Sequence, residues 1–380
     1  MLVYFLEKRG PSSRYKRRDR EILTNFSRAR SPWNPENDLK DYSRCEFVEA
    51  SMSISLLPSG VLRSYGEDLS RIPLRHLQWP TGEHDDCGTR EADALVGDLK
   101  ADDDLILTAD SRSLWASRRN IRCRVSILTE QPLSTQGHFY TLLRWRGRSY
   151  HRVFTHQISL CHALPNARLV EHGGTTLQAL PKTPSVKTAM VSLVDSTTHH
   201  LPGHRLCHRV AAWSRTACKT TQLYGPGYLA LSDKTEAHAP FRYSVIVENS
   251  RSKGYFTEKL IDSMLCSNVP IYWGDPSIGS YFDPRGMVVC ETQADIQKAI
   301  VQASSEDYDR RRPFVDVNQW IAKRLSRSMI HRACDILHDE QDSQSQHHSI
   351  LNADGFRKNA EQRDSFHTGN DTVPQLTKAA

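Results

Sequence analysis

Between Glu248 and Lys259 the chain reads ENSRSKGYFTEK, a knot of amide, phenol, carboxylate and ammonium groups between the apolar runs FRYSVIV and LIDSML. Asn249 and Tyr255 offer neutral hydrogen bonds. Glu258 can accept from the hydroxyls of a ribose or another sugar. Thr257 can cap a following helix, which places Lys259 in its first turn, where an ammonium opposes the helix dipole. A cation there, beside unpaired N–H groups, suits an anion such as a diphosphate. Each residue also has an ordinary reading. A Glu–Lys pair in a first turn fits a solvated face, and Glu248 with Asn249 fits a strand end closed by an Asx-turn. It is the density of polar groups between buried runs that favours a site. Neither glycine-rich nucleotide fingerprint, GxGxxG or GxxxxGKS/T, is present, and GPGY at 225–228 is a lone turn signal.

The elements around the knot fix where it must lie. FRYSVIVEN reads as a strand, residues 257–268 as a helix ended by Asn268, and VPIYWG as the next strand. Leu260, Ile261, Met264 and Leu265 form the stripe that docks the helix. Strand, loop, helix, strand puts the knot at the carboxyl ends of the strands, where α/β sheets bind ligands. KTAMVSLVDS (187–196) begins this second unit, and GHRLCHRVAAWSRT (203–216) follows with helical spacing at Leu206, Val210 and Trp213. MVVCE (287–291) is a further strand. ADIQKAIVQA is a helix with Thr292 as its N-cap, and 315–338 reads as one long helix. Upstream, DLILTAD (104–110), CRVSILTE (123–130), YHRVFTH (150–156) and ARLVEHG (167–173) read as buried strands of a parallel α/β sheet. Asp102, Asp103 and Asp104 read as a solvated turn before a strand. Trp145 reads as a packing residue. Of His138, His151, His156 and His172, one or two are expected to line a cleft.

The 380 residues suffice for two domains. Fifty basic residues against 44 acidic ones, a net +6, suit an anionic small molecule as well as nucleic acid or an anionic surface. RNA-recognition, KH and zinc-finger signatures are absent, so nucleic acid is not an expected partner. Nine cysteines, an odd number without a CxxC pair, argue against a disulfide framework or zinc site. Asn25 and Asn370 open N-x-S/T sequons. No apolar run is long enough to span a membrane, and MLVYFLEKRG is too short for a signal-peptide core. Residues 1–45 read as a poorly ordered basic arm, and 339–380 as a disordered polar tail.

The stretch ENSRSKGYFTEKLIDSMLCSNVPIYWG (248–274) resembles the donor-binding motif of the α-1,3/1,4-fucosyltransferases, glycosyltransferase family 10: ENS, a short gap, YxTEKL, a helix and VPIYWG. YGPGYLALSDKTEAHAPFRYSVIVENS, MVSLVDSTTHHLPGHRLCHRVA and RVFTHQISLCHALPNARLVEHGGT are similar to flanking parts of that family. ILTEQP (127–132) resembles the segment holding its catalytic carboxylate. The likeness runs from about Leu105 to Ile300.

The resemblance implies the α/β GT-B arrangement, two Rossmann-like domains facing across a cleft. Residues 46–185 would form the acceptor side and 186–338 the donor domain. It implies GDP-fucose as donor, a glycan hydroxyl as acceptor, and inversion at the anomeric carbon without an obligatory metal or other cofactor. By position, Glu130 would be the general base and Lys259 would contact the diphosphate. Asn249, Tyr255 and Glu258 would hold ribose, phosphate and fucose groups, with Glu248 beside them. One position departs from the pattern. Where the family has a diphosphate-binding arginine, this chain has Cys207, which cannot make a bidentate phosphate contact. Arg205 and Arg209 flank it but point about 200° away on a helix. The alternative is therefore an impaired GDP-sugar-binding relic. A compartment follows only conditionally: cytosolic if the chain is complete, Golgi lumen if an N-terminal anchor has been lost.

Overall fold

The structure, a computed structural model, describes residues 53–80, 93–180, 186–218 and 220–343. The basic arm expected over 1–45, both sequons, and the tail from 344 lie outside them.

Two parallel sheets of five strands make up the α/β architecture expected from the sequence. The first contains β1 (Ile54–Leu57), β2 (Asp104–Thr108) and β3 (Arg124–Thr129). Helix α1 (Leu133–Arg146) leads to β4 (Val153–Thr155), and α2 (Ile158–Ala163) to β5 (Ala167–Leu169). The second comprises β6 (Ala189–Val194), α3 (Pro202–Ala217), β7 (Thr221–Tyr224), β8 (Phe241–Val247), α4 (Glu258–Leu265), β9 (Val269–Trp273) and β10 (Val288–Val289), followed by α5 (Gln293–Gln302) and α6 (Ser305–Leu325). A last helix, α7, covers 329–343.

The sheets differ in strand order. The first runs β1-β2-β3-β4-β5. Right-handed crossovers that always advance in one direction leave their connections on one face. There Leu105, Leu107, Val125, Ile127 and Val153 pack with Phe139, Tyr140 and Leu143 of α1. The opposite face, Ile54, Leu56, Ile106, Leu128 and Phe154, is covered by Met329, Ala333, Cys334 and Leu337 of α7. The second sheet runs β10-β9-β8-β6-β7, so its order reverses between β6 and β8. Helices therefore cover both faces. Val245, Val247, Ile271 and Trp273 meet α3 and α5, while Ile246 and Tyr272 meet α4 and α6. A reversal of strand order opens a crevice at the carboxyl ends of the two strands concerned.

Several expectations are corrected. The helix expected over 315–338 is two helices. The Leu325 carbonyl accepts from the Gly174 N–H at 2.7 Å and from Arg332 Nη1 at 3.0 Å, and the chain turns before α7. Placed from sequence in the donor domain, α7 instead closes the first sheet and continues past the expected boundary at 338. Its Glu340 pairs with Arg152 and Arg168 of that sheet, each at 2.6 Å. Asn268 does not terminate α4. Ser267 takes the left-handed turn at φ 57°, and the Asn268 amide donates to the His238 and Phe241 carbonyls. Asp103 and Asp104 are buried rather than solvated: Asp103 accepts from Ser53 at 2.7 Å, and Asp104 pairs with Arg124 at 2.7 Å. Trp145 does not pack in the interior; it is 83% exposed. Among the described residues the cysteines are free thiols, and no helix is long and apolar enough to cross a membrane.

Candidate functional site

The residues singled out between β8 and α4 gather where the second sheet reverses order, but they divide into a buried support and a half-exposed surface. Glu248 is support. It is fully buried, and its two carboxylate oxygens accept from the Thr257 N–H and hydroxyl, each at 2.8 Å. Burial pushes its carboxyl up to about 7, against the Lys259 charge and the Thr257 donors. Expected among the donor-binding groups, Glu248 instead holds the N-cap of α4 in place. Backbone crowding confirms how closed the spot is: a Cβ on Gly203 would lie 1.7 Å from the Glu248 carbonyl oxygen. Only glycine lets the first turn of α3 reach this strand end.

Asn249 and Lys259 form the surface, both half-buried. Lys259 Nζ donates to Asn249 Oδ1 at 2.9 Å and to the Val247 carbonyl at 3.1 Å. The ammonium thus lies over the end of β8 instead of trailing into solvent. Thr257 caps the helix as expected, accepting from the Lys259 N–H at 3.4 Å. Tyr255 is buried at 5% exposure, with its hydroxyl 3.5 Å from Asn249 Nδ2. Its phenol is raised above its ordinary range by burial. Glu258, half-buried, is close enough for its charge to raise both Glu248 and Tyr255 further.

Helix α3 adds groups that the sequence reading passed over. His204 Nε2 lies 3.0 Å from Asn249 Oδ1, and burial holds its imidazole below the ordinary value. One turn on, His208 Nδ1 lies 2.7 Å from Asp195 Oδ2, and its ring stacks on His199 at 3.9 Å. The i, i+4 spacing of His204 and His208, on one helix face, was the available signal. Between them, the Cys207 thiol faces the Val194 carbonyl at 3.7 Å, at the end of β6. Burial first, then Asp195, pushes this thiol up to about 12, so it is neutral. Arg205 donates to the His200 carbonyl at 2.9 Å and Arg209 to Gln293 at 2.8 Å. Neither arginine is bonded toward the Asn249–Lys259 pair.

The first sheet meets this loop with the ends of β3 and β4. Ser134 donates to Ser250 at 3.1 Å, and Gln157 Nε2 to the Lys253 carbonyl at 3.2 Å. Glu130, half-buried, directly follows β3, and burial raises its carboxyl above the usual range. Beside it lies a histidine pair. The His156 and His172 rings are 4.2 Å apart, and Tyr255 stands edge-on to His172 at 4.9 Å. Both histidines are buried. Burial lowers His156 to about 4 and His172 well below its ordinary value. His138 shows no such contact with the loop. The second sheet thus brings the Lys259 ammonium and the Asn249 amide to this loop, and the first sheet brings Glu130 to the end of β3.

No family model matches the chain. Over 70 residues, 18% of this chain and 15% of the relative, it is 33% identical to the alpha-(1,3)-fucosyltransferase FucT of Helicobacter pylori. Over 50 residues, 13% of this chain and 8% of the relative, it is 36% identical to the putative fucosyltransferase R654 of Acanthamoeba polyphaga mimivirus. The chain thus spans no more than 15% of the length of these curated relatives. Among solved structures it is similar to an alpha1,3-fucosyltransferase, at 15% identity and a TM-score of 0.40, over 56% of this chain and 69% of the other. It is similar to TarM at 11% identity and a TM-score of 0.42, over 63% and 55%. Over these short stretches the chain is similar in sequence to curated fucosyltransferases.

Proposed function

We propose that the protein transfers fucose from GDP-fucose to a glycan hydroxyl with inversion at the anomeric carbon. The observation that carries this reading is the Asn249–Lys259 pair, 2.9 Å apart, seated at the reversal between β6 and β8. Lys259 would meet the diphosphate, and Asn249, Tyr255 and Glu258 would orient the ribose, phosphate and sugar. Tyr255 is the most enclosed of these, so its part is to hold Asn249. Glu130 would take the proton of the acceptor hydroxyl as that oxygen bonds to the anomeric carbon. The bond to GDP breaks on the opposite face, and the leaving diphosphate keeps the electron pair. Its charge is met by the ammonium and by helix N–H groups, fixed before reaction and therefore effective. A raised carboxyl at Glu130 suits a base working near neutral pH.

The relic reading has an observation of its own. A neutral thiol stands at Cys207, and Arg205 and Arg209 are bonded elsewhere. The test is a screen of donor hydrolysis and nucleotide binding with GDP-fucose, GDP-mannose and UDP-glucose. Turnover confined to GDP-fucose supports the transferase. GDP binding without turnover of any donor supports the relic. Turnover of UDP-glucose alone contradicts both.

A further inference from the structure

Helix α1 is apolar on two sides. Phe139, Tyr140 and Leu143 face the core, while Leu142 (37% exposed) and Trp145 (83% exposed) share the outward face with exposed Arg146. A helix with apolar residues beyond its core-facing stripe has a second surface to cover. The neighbouring loop adds Trp115, 49% exposed, with Arg146 stacked over its indole at 4.5 Å. Arg118 ties the two segments together, donating to Ser149 Oγ at 2.8 Å and lying 4.2 Å over the Tyr150 ring. Between Asp110 and Glu171 the chain carries ten arginines against a single acidic residue, Glu130. Among the described residues, Arg124, Arg152 and Arg168 of these join the ion pairs with Asp104 and Glu340. Arg144 and Arg148, both exposed, flank Trp145.

We propose that this face, Leu142, Trp145 and Trp115 set among Arg144, Arg146 and Arg148, docks the protein on an anionic lipid surface. Indole rings favour the boundary between headgroup and acyl chain, and arginines are drawn to acidic headgroups. Leu142 separates this occupant from a nucleic acid. A single strand would use the indoles and the charge, but it has no apolar layer for an aliphatic side chain to enter. The face is distinct from the Asn249–Lys259 site. Ser134, at the start of α1, touches Ser250, while Trp145 stands near the opposite end of that element, beyond a break in the helix at Gln136. The protein would then act on acceptors held at a membrane, without a spanning segment of its own among the described residues.

Co-sedimentation of the full chain with vesicles tests this. Phosphatidylcholine vesicles containing about one-third phosphatidylserine are expected to bind it in about 0.1 M salt, and pure phosphatidylcholine vesicles are not. Arg148→Ala should weaken binding about fivefold, the equivalent of one arginine at a charged surface. Trp145→Ser should weaken it at least as much and reduce the blue shift in tryptophan emission, to which Trp115 also contributes. Both side chains are exposed, so thermal unfolding should be unchanged. Three results overturn the proposal: no binding to the anionic vesicles, equal binding to both vesicle types, or binding unaffected by the two substitutions. Tighter binding of a single-stranded oligonucleotide than of the anionic vesicles would also overturn it.

Discussion

Asn249 Oδ1 takes the Lys259 ammonium at 2.9 Å and lies 3.0 Å from His204 Nε2, so one amide oxygen ties the first turn of α4 to the first turn of α3. Burial, and secondarily the Lys259 charge, keep His204 below its ordinary value, which favours the neutral ring in the unliganded protein. On the proposed reading, a bound diphosphate would reverse that balance and raise the His204 pKa. A site that takes up a proton on binding an anion binds more tightly as pH falls. GDP affinity is therefore expected to rise several-fold from pH 8 to pH 6 and to become flat in His204→Gln. Titration calorimetry at the two pH values checks this.

On the proposed reading, Cys207 leaves the chain without a second full charge for the leaving group. Cys207→Arg would place a guanidinium at the end of β6, beside the strand reversal. A charged hydrogen bond contributes about 1.5–3 kcal/mol, so GDP affinity should rise roughly tenfold or more. If the natural chain is a working transferase, its turnover is measurable and Cys207→Arg alters it only by degree. Activity that appears only in Cys207→Arg assigns the natural chain to the relic reading.

Much of this architecture was legible because it rests on local patterns. The apolar centres of β2, β3, β8 and β9 and the stripe Leu260–Ile261–Met264–Leu265 needed no partner information. The short strands β1 and β7 were missed. Ile54–Leu57 is too brief to show a period, and Thr221–Tyr224 reads as polar. The docking of α7 on the first sheet is a long-range event with no local mark; Arg152 and Glu340 are 188 residues apart. The Asn249–Tyr255–Lys259 cluster was readable from spacing. The role of Glu248 was not, because only the fold shows that both of its oxygens are engaged by Thr257. His156 and His172 join through sheet ends that no spacing brings together.

Glu248 predicts a pH dependence of stability. Its folded pKa, about 7, lies above that of an unfolded glutamate, so the folded state holds the proton more tightly. The favourable contribution is complete below about pH 4.5 and is lost as pH rises through about 7. Glu248→Gln keeps an acceptor for the Thr257 N–H and removes the titration. Relative to the natural chain, it should gain about 2–3 kcal/mol in stability between pH 5 and pH 8. Urea unfolding of both proteins at the two pH values measures the difference; an unchanged gap contradicts the assignment.

Asp262, fully buried on α4, anchors the segment that leaves the first sheet. It accepts from Thr175 Oγ1 at 2.5 Å, Thr176 Oγ1 at 2.6 Å and the Thr176 N–H at 3.1 Å. Asp262→Ala leaves three donors without their acceptor and should cost about 2–4 kcal/mol. Thr175→Val, which removes one of the three donors, should cost about 1 kcal/mol. Equal losses would contradict this view of the anchor.

Titration calorimetry with GDP tests the proposed division of labour between Lys259 and Glu130 most directly. The natural chain should bind GDP. Lys259→Ala should weaken that binding and cost about 2–4 kcal/mol in the transition state, and Glu130→Ala should leave GDP binding unchanged while nearly abolishing transfer. Equal weakening by both substitutions, or a natural chain that does not bind GDP, would contradict it.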